Sequence, residues 1–336
     1  MRYRRPPRAG IALSEFALGT MTFGHEADEA ECWRMLDAFA SAGGNLIDTA
    51  DVYSGGESES IIGRWLTARP DVSDRMVVAT KARFSVSNDV NDSGASRRHL
   101  RRAVDASRRR LQRDTIDLYQ IHAWDPSTPA DESLRVLDDF VRSGAIDYSG
   151  FSNMTGWQLQ KMMASVASVG TSAPITIQPQ YSLLVRETEY EILPSALDAQ
   201  LGVLAWGPLG GGWLTGKYSR TAPPTGRTRL GENPSRGFEA YSKRAPRDGT
   251  WKVLEEVERV ARDHDVTSAA VALAWLRDQT GVTSVILGAR SATQLESNMT
   301  AAGLTLSIDE LTRLSSASDP RPDDYPYGPR GQEQRA

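Results

Sequence analysis

Short β-rich runs alternate with longer segments of helical periodicity along almost the whole chain, and this rhythm limits the folds open to it more than any other feature. The runs fall at 17–20, 45–48, 76–80, 116–121, 145–150, 175–178, 201–205 and 284–287. Helical patterns follow at 31–42, 58–67, 96–111, 131–143, 156–169, 188–197, 250–263, 268–279 and 291–300. Strand-helix repetition of this kind builds a parallel sheet covered by helices. Eight such units with no polar, flexible linker between them favour one α/β domain over residues 1–336, a closed (β/α)8 TIM barrel, over two doubly wound domains. The region after the seventh run carries Pro223, Pro224, Gly226, Gly231, Pro234, Gly237 and Pro246, and is expected as a long loop over about 207–249. An irregular tail is expected over about 320–336.

Charge and cysteine content narrow the functional classes. A formal net charge of −4 lacks the basic excess that a phosphate backbone demands, so no nucleic-acid partner is expected. Arginines at 97, 98, 101, 102, 108, 109 and 110 are interrupted by Leu100, Val104 and Leu111, which is the pattern of an amphipathic helix with a solvated face. No run of about 18 apolar residues is present, and the basic start Met1-Arg2-Tyr3-Arg4-Arg5 has no apolar stretch behind it, so neither membrane insertion nor secretion is expected. Cys32 is the sole cysteine, which fits a reducing, cytoplasmic location.

Active sites of such barrels lie at the carboxyl ends of the strands. There the chain places Asp48, with Tyr53 in the loop behind it, then Lys81, His122, Ser152 and Asn153, Gln178, Trp206, and finally Gly288 and Arg290. Singly, each has an ordinary structural explanation: a cap, an edge aromatic, a solvated strand end, a core histidine. As an ordered set they do not. The runs Asn45-Leu46-Ile47-Asp48-Thr49-Ala50-Asp51-Val52-Tyr53, Ala79-Thr80-Lys81, Gln120-Ile121-His122 and Gly150-Phe151-Ser152-Asn153 stand in order and at compatible spacings with Trp206-Gly207-Pro208-Leu209 and Ile286-Leu287-Gly288-Ala289-Arg290. Together they resemble the aldo-keto reductase family, in its longer-loop branch that includes the potassium-channel β subunits.

The resemblance implies hydride transfer from NADPH to an aldehyde or ketone, with Asp48, Tyr53, Lys81 and His122 as the catalytic set. The chemistry suits them. Negative charge builds on a carbonyl oxygen as hydride reaches its carbon, so a proton donor must be in place. A phenol with a pKa of about 10 needs help to give up its proton near neutrality, and a neighbouring ammonium, Lys81, is expected to favour the phenolate of Tyr53. Asp48 is the expected counter-charge for that ammonium. His122 is expected as a neutral imidazole directed at the carbonyl oxygen. No histidine pair at metal-ligand spacing exists, so no metal is expected.

For the cofactor, no G-x-G-x-x-G follows the first run, so a Rossmann mode is not indicated. The resemblance implies that Ser152, Asn153 and Gln178 bind the nicotinamide carboxamide and that Trp206 stacks on its ring. Backbone around Gly207, Pro208, Leu209 and Gly210, with Lys217 and Arg227, is expected at the pyrophosphate. Gly288 and Arg290 are expected at the adenosine 2′-phosphate, which favours NADPH. Gln294 and Asn298, one helical turn apart, are expected on the adenine side. Phe84 and Trp124 are expected to wall the pocket of a small-molecule carbonyl substrate. Two positions depart from the family's habit: Gly144-Ala145-Ile146-Asp147 replaces a more basic run, and Ser297 replaces a frequent glutamate. A nicotinamide-binding regulatory subunit with incidental turnover is the alternative reading.

Overall fold

The computed structural model describes residues 1–226, 228–235, 237, 239–320, 322 and 325–333. Eight parallel strands close into a barrel. They are β1 (Phe16–Gly19), β2 (Leu46–Asp48), β3 (Val77–Ala82), β4 (Ile116–Ile121), β5 (Ile146–Ser152), β6 (Thr176–Gln178), β7 (Gly202–Ala205) and β8 (Val282–Gly288), with β8 paired back onto β1. The helices between them are α1 (Glu29–Ser41), α2 (Glu57–Ala68), α3 (Arg97–Leu111), α4 (Ala130–Ser143), α5 (Gly156–Val169), α6 (Ile192–Asp198) and α7 (Ser268–Arg277), and α8 (Ala292–Met299) follows β8.

Side-chain alternation divides the barrel into two cores. Ala17, Leu46, Val77, Ala79, Leu118, Leu204 and Ile286 fill the interior. Their neighbours Phe16, Leu18, Ile47, Val78, Tyr119, Val203 and Leu287 point outward into the layer beneath the helices. Before β1, Tyr3–Arg4 and Leu13–Ser14 form an antiparallel hairpin, and Leu13 joins the interior cluster at the barrel's amino end.

The helices obey local rules. Helix α3 starts at the Ser96 cap, whose side chain accepts from His99 N, and buries Leu100, Ala103, Val104 and Leu111 while its arginines face out. Several of these arginines meet carboxylates: Arg97 pairs with Asp139, Arg102 with Asp92, and Arg110 with Glu59. The helix expected at 188–197 is instead a short 3-10 turn, Glu187–Glu189, followed by α6. Pro194 is the reason. Its missing N–H and its ring are tolerated in a first turn and would break a helix begun earlier. Outside the barrel, Asp248–Asp263 packs against Ile308–Ala317, a helix that opens on the capping box Ser307/Glu310 and that the periodicity reading passed over. The region expected as a long loop holds a 3-10 segment, Gly210–Thr215, and two single-turn helices, Arg229–Glu232 and Tyr241–Arg244. The tail holds a short helix, Pro329–Glu333. Among the described residues, no helix is long and apolar enough to cross a membrane.

Candidate active site

Alternation also carries the polar residues inward. In β2 the parity that buries Leu46 inside brings Asp48 inside two residues later, and in β3 Val77 and Ala79 lead to Lys81 in the same way. The register pairs Asp48 with Ala79 and Lys81 with Gln120, so the carboxylate and the ammonium stand one pleat apart on adjacent strands. They meet: Lys81 Nζ donates to Asp48 Oδ2 at 2.7 Å and to the Thr49 carbonyl at 2.7 Å. The other oxygen, Asp48 Oδ1, accepts from Gln178 Nε2 at 2.7 Å. Lys81 is wholly buried and Asp48 nearly so. Burial disfavours the ammonium, yet the charge of Asp48 and the phenol of Tyr53 outweigh it and leave the Lys81 pKa raised.

Tyr53 opens a 3-10 turn directly behind β2, with Ser54, Gly55 and Gly56 all at positive φ. That tight reversal turns the tyrosine back over the barrel mouth, where its ring centroid lies 5.3 Å from Lys81 Nζ and 5.9 Å from the His122 ring. The net effect on its acidity runs against expectation. Burial raises the phenol above its ordinary value, the charge of Lys81 opposes this, and Asp48 adds to it, so the phenol stays protonated in the free protein. Lys81 acts in the expected direction but is outweighed. His122, just past β4, is pushed down to about 2 by burial and by the positive charges of Lys81 and Arg83, so it is a neutral imidazole. Its Nδ1 is buried without a hydrogen-bond partner.

The residues expected at the cofactor are brought to the same mouth, partly bonded to one another. Ser152 Oγ donates to the Gln178 carbonyl at 2.9 Å. Asn153, held at φ 50°, donates from Nδ2 to the His122 carbonyl at 2.9 Å and accepts at Oδ1 from Trp206 Nε1 at 3.0 Å. Gln178, expected at a carboxamide, thus has its amide nitrogen committed to Asp48. Trp206 is half-buried, packed on the interior core. Beyond it Gly207, Gly210, Gly211 and Gly212 adopt positive φ on either side of Pro208 and Leu209, and a Cβ on Gly212 would come within 2.8 Å of Lys217 Nζ. Burial, then the charges of Arg290 and Arg229, lower the Lys217 pKa. Arg227 lies outside the described residues. Gly288 at the end of β8 faces open space, and the buried Asn298 Nδ2 lacks a partner. Gln294 Oε1 accepts from the Arg290 backbone N–H at 2.9 Å, so this residue helps to shape the helix entry. A glycine-lined turn beside Lys217, with the orphaned Asn298 amide farther along, fits a nicotinamide dinucleotide of either kind.

Sequence reasoning missed Glu26 and Glu232, which hold the Arg290 guanidinium at 2.5 and 2.9 Å. It missed Trp157, whose ring meets Trp124 edge-on at 5.6 Å, and Arg83 beside Phe84. Position at a strand end was the available signal for Arg83; nothing local marks the others. Phe84 packs its edge on His122 at 4.7 Å.

The model of the aldo/keto reductase family matches residues 15–319. The chain belongs to the aldo/keto reductase family. It is 36% identical to the uncharacterized oxidoreductase YrpG of Bacillus subtilis, over 94% of this chain and 95% of the relative. It is 30% identical to norsolorinic acid reductase A of Aspergillus parasiticus, over 93% of this chain and 79% of that protein. A probable voltage-gated potassium channel subunit beta of Arabidopsis thaliana is 29% identical over 97% of this chain and its own full length. Family membership and these oxidoreductase relatives support a carbonyl-reducing oxidoreductase, in a family that generally uses NAD(P)H.

Proposed function

We propose that this aldo/keto reductase uses NADPH to reduce an aldehyde or ketone to an alcohol, with Tyr53 as the proton donor. The observation that carries the reading is the buried ion pair of Lys81 and Asp48 set beneath Tyr53 at the barrel mouth. The reduced nicotinamide, when bound, supplies hydride to the carbonyl carbon. Tyr53 holds its proton through neutrality and gives it to the carbonyl oxygen as negative charge develops there, and Lys81 steadies the phenolate left behind. His122 stays neutral, so it can donate a hydrogen bond to the same oxygen without competing for the proton. Asp48 keeps Lys81 charged, and Gln178 fixes Asp48. Ser152, Asn153 and Trp206 would hold the nicotinamide end, and Lys217, Arg290 and Asn298 the phosphates and adenine. A 2′-phosphate would compete with Glu26 and Glu232 for Arg290, and that guanidinium at the entry to α8, with Lys217 nearby, supports NADPH over NADH. We place this activity in the cytoplasm, where a lone buried Cys32 stays reduced.

Replacing Tyr53 by Phe tests the reading. NADPH oxidation with a panel of aromatic aldehydes and quinones is expected to fall by about 10²–10⁴-fold, while NADPH binding followed by fluorescence is retained. Equal turnover in the two proteins would remove Tyr53 from the acid role. The Arabidopsis relative motivates a second reading, a cofactor-binding regulatory subunit. Tight NADPH binding with slow turnover of every carbonyl, and a stable protein partner, would favour that one.

A further inference from the structure

Arg83 is the first residue after β3, two positions beyond Lys81, and its guanidinium lies beside the Phe84 ring. Arg97, Arg102 and Arg110 on α3 each meet a carboxylate, as does Arg290. Arg83 makes no ion pair among the described residues, and its Nε is buried with no hydrogen-bond partner. The acidic group that faces it, Asp125, has its oxygens committed elsewhere. Oδ2 accepts from Ala95 N at 2.7 Å and Thr128 Oγ1 at 2.6 Å, and Oδ1 accepts from Ser127 N at 2.9 Å. Asp125 shares the field of Arg83 without bonding it, so the donors of a half-buried guanidinium are left for a ligand to meet.

Its surroundings indicate what kind of ligand. The guanidinium carbon lies 5.3 Å from the Phe84 ring centroid, and that ring lies 4.7 Å from the His122 imidazole, so one contiguous stack runs from the cation to the histidine directed at the carbonyl. Trp124, in the loop behind β4, and Trp157, in the first turn of α5, form an edge-to-face pair at 5.6 Å, with Trp157 57% exposed. Lys161 stands over Trp124 at 5.6 Å and adds a second cation to the rim. Exposed aromatic rings grouped beside a reaction centre mark a surface that a flat apolar body would cover.

We propose that the substrate is an aromatic aldehyde or ketone carrying a carboxylate, and that Arg83 is the specificity residue that binds the carboxylate while the ring lies among Phe84, Trp124 and Trp157. The inference rests on the carbonyl-reductase reading. The carboxylate is unchanged in the reaction; it is held by charge-assisted hydrogen bonds of a kind that a neutral ester cannot make.

The test compares 4-formylbenzoate with its methyl ester in NADPH-dependent turnover by wild type, Arg83→Gln and Arg83→Lys. Wild type is expected to prefer the acid in kcat/KM by about tenfold or more, chiefly through KM, because a hydrogen bond to a charged group is worth about 1.5–3 kcal/mol. In Arg83→Gln the acid-to-ester ratio is expected to collapse toward unity, and in Arg83→Lys to recover in part. A ratio of internal controls is insensitive to a general loss of folded protein. Calorimetry with 4-(hydroxymethyl)benzoate, the alcohol product, on protein saturated with NADPH gives a readout without turnover, because the reduced cofactor cannot accept hydride, with binding by wild type and loss in Arg83→Gln expected. An acid-to-ester ratio near unity in wild type, or one unaltered by Arg83→Gln, overturns the assignment of Arg83 and leaves the reductase reading intact. No turnover of either compound, with the alcohol still bound in an Arg83-dependent way, overturns the reductase reading and upholds the carboxylate site.

Discussion

Asp51 shows how a single buried group can work against the fold that contains it. It sits between Asp48 and Tyr53 in the chain, is 2% exposed, and neither of its carboxylate oxygens has a side-chain hydrogen-bond partner. Burial, followed by repulsion from Glu59, raises its pKa to about 7, against the pull of Arg110, the Val52 N–H and Lys81. The native state therefore holds this proton to a higher pH than the unfolded chain does, whose value is near the ordinary 3.8. The stability linked to it is complete below that ordinary value and is lost as pH rises through 7. The stability gained by replacing Asp51 with Asn is expected to be larger at pH 8 than at pH 5 by roughly 2 kcal/mol or more, read from urea unfolding at the two pH values. A gain of equal size at both would mean that the carboxyl does not titrate in this range. The positions of Asp48, Lys81 and His122 were legible at this scale because each lies at or next to a strand end, with Tyr53 in the loop behind Asp48. The balance of forces on Tyr53 was not, since it depends on how much protein surrounds the phenol.

Elements meet at backbone distance where α2 crosses α3. A Cβ on Gly63 would lie 2.1 Å from the Arg110 carbonyl oxygen and 2.8 Å from Leu111 C, which no side-chain rotation can relieve. Gly63→Ala is expected to cost about 2–3 kcal/mol in chemical denaturation, because the helices must separate. The same movement would disturb Glu59, one turn earlier, which accepts from Thr80 Oγ1 at 2.6 Å and from Arg110 Nε at 2.7 Å. An unchanged denaturation midpoint would argue against so close a crossing. Helix periodicity was legible because one face of α3, α4 and α5 is buried, and a buried stripe writes itself into the sequence at 3.6 residues per turn. The break before α6 was legible in principle through Pro194. The helix Ile308–Ala317 was too, through the Ser307-x-x-Glu310 signal; its pairing with Asp248–Asp263 was not, because no local rule chooses the partner of an amphipathic face.

The whole molecule is closed at its amino end by a polar knot that joins three distant parts of the chain. Glu15, 1% exposed, accepts from Arg2 Nε at 2.8 Å and lies 3.9 Å from Arg277 Nε. Arg277, 2% exposed, donates to the carbonyls of Ala301 and Leu304 at 2.7 and 2.9 Å. Arg2 and Arg277 would keep Asp278 as a partner, so Glu15→Ala is expected to lower stability by about 2 kcal/mol, the worth of the lost charged hydrogen bonds, and to lower the Tm by a few degrees. The knot and the active site occupy opposite ends of the barrel, so KM for carbonyl substrates is expected to stay at the wild-type value. A changed KM with an unchanged Tm would mean that Glu15 serves the mouth instead.

The chain by itself determined the βα alternation, the inward parity of Asp48 and Lys81, and the order of polar residues at the strand ends. These follow from periods of 2 and 3.6 and from barrel geometry, which are local or repetitive properties. Tertiary structure alone decided that Gln178 bonds Asp48 across 130 residues, that Glu26 and Glu232 hold Arg290, and that the Arg83 Nε is buried without a hydrogen-bond partner. It also set the sign of the Tyr53 shift. Each of these is a sum of desolvation and charge over groups brought together from separate strand ends, and such a sum exists only once the barrel has closed.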